Sequence, residues 1–146
     1  MSKLIIFDWI GTLYEKNRGV FPESQRVLEE LEKRGYHMGL ISLGKDISSR
    51  TNEIFSSGLD QYLNPIIVQK EKTPIMYQEC MQKMRALPST TTIIDDRTLR
   101  GIKIGNSLGY NTIWIQKGEF AHEVPNEESG EPTHIVNNLS DVLNYL

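Results

Sequence analysis

Leu4-Ile5-Ile6-Phe7-Asp8-Trp9-Ile10-Gly11-Thr12-Leu13 is the stretch on which the fold turns. Four consecutive apolar residues, Leu4 to Phe7, predict a short strand buried on both faces, as in a parallel sheet covered by helices on each side. An aspartate follows directly. A carboxylate at the end of such a strand stands where open α/β sheets place their ligands.

Outward from this stretch the chain alternates β-rich runs with helical patterns, which predicts an α/β architecture. Pro22 stands where a helix would start, with Val27, Leu28 and Leu31 at helical spacing and Gly35 as its end. Tyr36 to Ile41 reads as the second strand. Asp46 begins a helix whose expected apolar face is Ile47, Ile54 and Phe55, closed by Gly58. Ile66 to Val68 is a third strand, and Pro74 opens a helix with Ile75, Tyr77, Met81 and Met84 on its apolar side. Thr91 to Ile94 is the fourth strand, Ile102 to Leu108 a helix, and Thr112 to Ile115 the fifth strand. The polar stretch Gly118 to Pro132 reads as loop, His134 to Val136 as an edge strand, and Leu139 to Leu146 as a closing helix.

The 146 residues fit one domain, with 38% apolar and 24% charged side chains. The net charge of -3, 16 basic against 19 acidic residues, argues against a nucleic-acid footprint spread over the surface. Cys80 is the one cysteine, expected to be a buried small hydrophobe. No run approaches a membrane span, and the apolar run after Met1-Ser2-Lys3 is too short for a signal-peptide core. A cytoplasmic setting is therefore the expectation.

The residues that close the four strands form a set. They are Asp8, Ser42, the Lys70/Lys72 neighbourhood and Asp95-Asp96. A carboxylate can attack phosphorus and form an aspartyl-phosphate. A divalent cation must relieve the repulsion between that carboxylate and a phosphoryl group, and magnesium accepts a few carboxylates, waters and phosphate oxygens. Asp95 and Asp96 can supply carboxylates, while Ser42 and a lysine can hold phosphoryl oxygens. Lys72 is favoured over Lys70 for its nearness to Pro74.

Phe7 to Leu13 resembles the first motif of the haloacid dehalogenase-like hydrolases, hydrophobic-D-x-D-G-T-L. Leu40-Ile41-Ser42 is similar to their second motif, Lys70-Glu71-Lys72-Thr73-Pro74 to the third, and Ile93-Ile94-Asp95-Asp96 to the fourth. The resemblance implies a three-layer Rossmann-like fold with a mostly parallel sheet of five to six strands. It also implies an active-site magnesium ion held by Asp8, the backbone carbonyl of Ile10, Asp95 and Asp96. Thr12 would position phosphate or brace the turn, Gly11 would allow the tight backbone there, and Leu43 and Gly44 would offer backbone N–H groups to the phosphate. Arg97 would contact substrate or an ion-pair partner.

Two departures from the family pattern bear on activity. Ile10 stands where phosphatases of this superfamily carry the acid that protonates the leaving group, help worth roughly 10²–10⁴-fold. The spans from Asp8 to Ser42 and from Ser42 to Lys70 leave no room for a cap, so residues 1–146 read as a single capless core. The fourth motif is trimmed too, since Gly101 stands where many relatives have a further aspartate. The expected function is a magnesium-dependent phosphatase or phosphotransferase acting through Asp8, slowed by Ile10. The alternatives are a catalytically impaired phosphate- and metal-binding regulator, and a dehalogenase or phosphonate hydrolase. Expected partners are a phosphorylated small molecule or macromolecule, or a second copy closing the site as a homo-oligomer.

Overall fold

The computed structural model describes residues 2–146, so Met1 of the expected 1–146 domain lies outside the described residues. Strand β1 (Ser2–Phe7) is followed by a small hairpin of β2 (Tyr14–Glu15) and β3 (Gly19–Val20), then α1 (Ser24–Lys33) and β4 (Tyr36–Leu43). Next come α2 (Ile47–Ser56), β5 (Ile66–Gln69), α3 (Pro74–Lys83) and β6 (Ala86–Asp95). A wide π-type turn (Thr98–Ile102) leads into α4 (Lys103–Ser107), and β7 (Asn111–Ile115) and β8 (His134–Val136) complete the chain's strands.

Six strands form one sheet in the order β5-β4-β1-β6-β7-β8, every neighbouring pair parallel. The chain builds outward from β1 to one edge through β4 and β5, then returns to β1's other side with β6. The order therefore reverses between β1 and β6, where doubly wound sheets leave a crevice beyond the strand ends. Asp8 and Asp95-Asp96 close these two strands.

Alternation along β1 sends Ile5 and Phe7 to one face and Leu4 and Ile6 to the other, all at most 1% exposed. The first face packs against Val27, Leu28 and Leu31 of α1, Ile54 of α2, and Leu139 and Val142. The second packs against Tyr77 and Cys80 of α3, with Ile104 and Leu108 beside them. Each fully buried aliphatic side chain contributes about 1.5–3 kcal/mol. Burial also pushes the Cys80 thiol up to about 12, so it remains protonated near neutral pH.

Several elements differ from expectation. Ile47, Phe55 and Ile75 are exposed, and Ile54 alone anchors α2 among its three expected contacts. Ile47 and Ile75 stand in the first turns of their helices, and Phe55 is rotated one position past Ile54. Strand β6 begins at Ala86 and not near Thr91; its first half, Ala86 to Thr90, is mostly exposed, contains Pro88, which argues against a strand interior, and joins β1 across a register shift. The helix expected from Ile102 starts as the π-type turn at Thr98, and the closing helix is a 3-10 segment, Leu139–Asn144.

Candidate active site

Three strand ends meet at the crevice. Asp8 leaves β1 with its N–H donating to the carbonyl of Ile94 at 3.1 Å, which locks it to β6. Asp95 is the last residue of β6 and is fully buried, its Oδ1 accepting from the N–H of Arg97 at 2.9 Å. Lys72, between β5 and α3, reaches in from the other side. Its Nζ donates to Asp8 Oδ1 at 2.7 Å and to Asp95 Oδ2 at 3.3 Å, with its side chain 5% exposed. Lys70 is exposed, two residues away. The extended Thr73 before Pro74 turns the chain from strand to helix, and that bend aims Lys72 at the site.

One carboxylate oxygen from each of Asp8, Asp95 and Asp96 lies within 4.8 Å of the others. Burial, and then the negative neighbour Asp8, raise both Asp95 and Asp96 above the ordinary aspartate range. Burial alone would lower Lys72, but the carboxylates of Asp8 and Asp95 outweigh it and hold the ammonium charged well above its usual range. Were all three carboxylates ionised, the lysine would offset only one of their charges.

The turn after Asp8 is wound around Trp9, whose carbonyl accepts from the N–H groups of Thr12, Leu13 and Tyr14. The Ile10 carbonyl accepts none of these turn hydrogen bonds. Gly11 has φ +83°, and a Cβ there would meet Asp96 Oδ2 at 2.2 Å. Glycine is thus required twice, by backbone conformation and by the close approach of Asp96.

Ser42 is buried inside the end of β4, where the guanidinium of Arg50 on α2 holds it. Arg50 Nη1 donates to Ser42 Oγ at 2.8 Å and to the Leu43 carbonyl at 2.7 Å. Arg50 Nε pairs with Glu53 Oε1 at 3.3 Å, which also accepts from Trp9 Nε1 at 2.8 Å. This chain of contacts ties the second strand end to the residue beside Asp8. The N–H of Gly44 is not free for a phosphate, because it donates to the Gln69 carbonyl at 2.9 Å and extends the β4–β5 ladder. Leu40 and Gly44 both donate toward the β5 side, so alternation turns the N–H of Leu43 toward β1 and the site.

A family model described as haloacid dehalogenase-like hydrolase matches residues 4–115. The chain belongs to the haloacid dehalogenase-like hydrolases. It is 22% identical over 130 residues to a glyceraldehyde 3-phosphate phosphatase of Pyrococcus furiosus, covering 86% of this chain and 53% of that protein. It is 23% identical to an (S)-2-haloacid dehalogenase of Pseudomonas fluorescens, covering 86% and 56%. The chain thus spans about half the length of the curated relatives it matches. Among solved structures, a 2-haloacid dehalogenase from Pseudomonas syringae has a TM-score of 0.78 at 15% identity, covering 99% of this chain and 97% of that one. A Bacillus subtilis HAD hydrolase bound to magnesium has a TM-score of 0.73 at 17% identity, covering 88% and 56%.

The HAD donor set suits a hard divalent cation. It consists of oxygen ligands, its carboxylates when ionised exceed the one charge Lys72 offsets, and Asp96 Oδ1 is buried without a hydrogen-bond partner among the described residues. Thr12 Oγ1 is likewise buried and unpartnered at the same turn. The trimmed fourth motif has a steric counterpart. A Cβ at Gly101 would meet Asp95 Oδ2 at 2.0 Å, so the Asp95 carboxylate fills the space a side chain at 101 would need.

Above this floor lies a cavity of about 650 Å³ whose lining includes Asp8, Ile10, Leu43, Lys72 and Asp96. Arg97 reaches its wall, stacked on Phe120 at 3.7 Å and paired with Glu123 at 3.0 Å. Of the two roles open to Arg97, an ion pair is present. Sequence reasoning missed Arg50, Glu53 and Glu123. Arg50 and Glu53, three apart on a helix whose N-cap is Asp46, carried a faint signal as a charged pair facing the strand ends. Glu123 sits in a stretch read as plain loop and carried none.

Proposed function

We propose that this HAD hydrolase is a magnesium-dependent phosphatase or phosphotransferase acting through an aspartyl-phosphate on Asp8. The observation that carries the reading is Lys72, buried and bonded to both Asp8 and Asp95 within a cluster of three carboxylates. A carboxylate held this way keeps one oxygen engaged by the ammonium and leaves the other to attack. An oxygen–phosphorus bond forms to Asp8 and the ester oxygen leaves. Water then attacks phosphorus, and the Asp8 carboxylate departs.

Asp8, the Ile10 carbonyl, Asp95 and Asp96 would hold the magnesium ion, which offsets the negative charge of carboxylates and phosphoryl group when bound. Ser42, steadied by Arg50, the Leu43 N–H, Thr12 and Lys72 would bind phosphoryl oxygens. Ile10 offers no proton, so the leaving group departs as a weak base or takes its proton from solvent. Activated acyl and aryl phosphates are therefore the favoured substrates. The hairpin and α1 after Asp8, and α2 after Ser42, support reading the chain as a core without a cap.

Ile10 also favours a second reading, a metal- and phosphate-binding protein that takes up phosphate without turnover. The test is phosphate release from an aryl phosphate with magnesium, in wild type and in Asp8→Asn. Magnesium-dependent release that the variant loses supports the phosphatase. Magnesium-dependent binding of a phosphate mimic without release supports the second reading, and halide release from a 2-haloacid in place of either would overturn both.

A further inference from the structure

The chain carries a net charge of -3, yet six of its sixteen lysines and arginines line the cavity over Asp8, against four carboxylates. They come from separate elements: Lys16 from the hairpin tip, Lys45 from the loop before α2, Arg50 from α2, and Arg97 and Arg100 from the turn after β6. Lys72 is taken by the floor, Arg50 by Ser42 and Glu53, and Arg97 by Glu123. Lys16, Lys45 and Arg100 have no carboxylate or hydrogen-bonding partner for their side chains among the described residues.

Three uncommitted cations converging on one concavity raise the local concentration of anions well beyond what the chain's overall charge would favour. Their place is the mouth, not the floor, where the scissile phosphoryl group would meet Lys72 and the carboxylates. They therefore face whatever part of the substrate projects outward.

We propose that this rim is a second anion site, and that the preferred substrates are small activated acyl or aryl phosphates whose leaving part itself bears a carboxylate or a second phosphate. The cavity's size, about 650 Å³, is that of a small-molecule site. The inference rests on reading Asp8 as the phosphoryl acceptor. The Arg50 Nη2 group, unengaged among the described residues, adds a further donor on the same wall.

The test uses 3-carboxyphenyl phosphate and 3-(hydroxymethyl)phenyl phosphate, aryl esters that differ by a carboxylate in place of a hydroxymethyl group, with magnesium present. The expected result is a kcat/KM about tenfold higher for the carboxylate-bearing ester, the scale expected when an anion meets two or three exposed cations. In the triple variant Lys16→Gln, Lys45→Gln, Arg100→Gln the ratio should fall to about one. Calorimetric binding of the same pair to Asp8→Asn gives a readout independent of turnover. A binding preference without turnover would sustain the second anion site while removing the phosphatase reading. Turnover or binding without preference would overturn the anion site and leave the phosphatase standing. A 3′-phosphorylated oligonucleotide preferred over both small esters would overturn it as well.

Discussion

The floor of the crevice and its rim are built on different principles. The floor is made by strand ends: Asp8, Asp95 and Asp96 leave adjacent parallel strands, and Lys72 closes the group from the β5 side. Its positions follow from backbone pairing, and its charges are buried. The rim is made by helix and loop side chains: the uncommitted Lys16, Lys45 and Arg100, and beside them Arg50 on Glu53 and Arg97 on Glu123, pairs that find one another across 3 and 26 residues of sequence. Changes in the floor should therefore disturb buried charge and chemistry together, while changes in the rim should mostly alter orientation and preference.

The largest effect is expected at Asp8. Asp8→Asn should reduce phosphate release by at least about 10³-fold, since loss of a nucleophile removes the covalent route. Lys72→Met should come next. It leaves two carboxylates without their cation, and loss of one member of a buried pair costs about 3–5 kcal/mol. Chemical denaturation without magnesium would measure it, and a loss below about 1 kcal/mol would place Lys72 with the rim.

How far the sequence carries depends on the same division. The placing of Asp8, Ser42 and Asp95-Asp96 at one edge was legible because strand ends announce themselves through apolar runs followed by a polar residue, and a parallel sheet brings such ends together. The six-stranded sheet was legible for the same reason, whereas Lys72 is favoured over Lys70 for its nearness to Pro74. Arg50 and Glu53 were not legible, because an i,i+3 charged pair on a helix reads equally as a solvated surface pair, and Glu123 was not, because pairing between two loops leaves no periodic trace. Gly44 was misread because a ladder hydrogen bond to Gln69 depends on where β5 ends, which the apolar pattern of Ile66 to Val68 did not mark.

Gly101→Ala sharpens the comparison from the steric side. Its Cβ would collide with Asp95 Oδ2, so a loss of about 1–3 kcal/mol in stability is expected, with weaker magnesium-induced stabilisation. A silent substitution would mean that the Asp95 carboxylate moves freely.

The floor should also govern pH dependence. Without metal, Asp95 is raised by burial and by Asp8 from the ordinary aspartate value to about 6. A raised carboxylate favours folding while protonated. Its contribution is full below the unfolded value near 4 and is lost as pH rises through about 6. Metal-free stability should fall across this window, and magnesium should restore more of it at the upper end, as thermal melts with and without chelator would record.

The smallest effect belongs to the rim. Glu53→Gln weakens the holds on Trp9 and Arg50 and should cost about 1 kcal/mol, with a modest rise in KM.

The central claim, that Asp8 accepts a phosphoryl group, is tested most directly by mass spectrometry after incubation with acetyl phosphate and magnesium, followed by acid quench. One hydroxylamine-sensitive phosphoryl group is expected on the peptide containing Asp8, absent without magnesium and absent in Asp8→Asn. An unmodified Asp8 under conditions where phosphate is released, or a phosphoryl group on another residue, would contradict it.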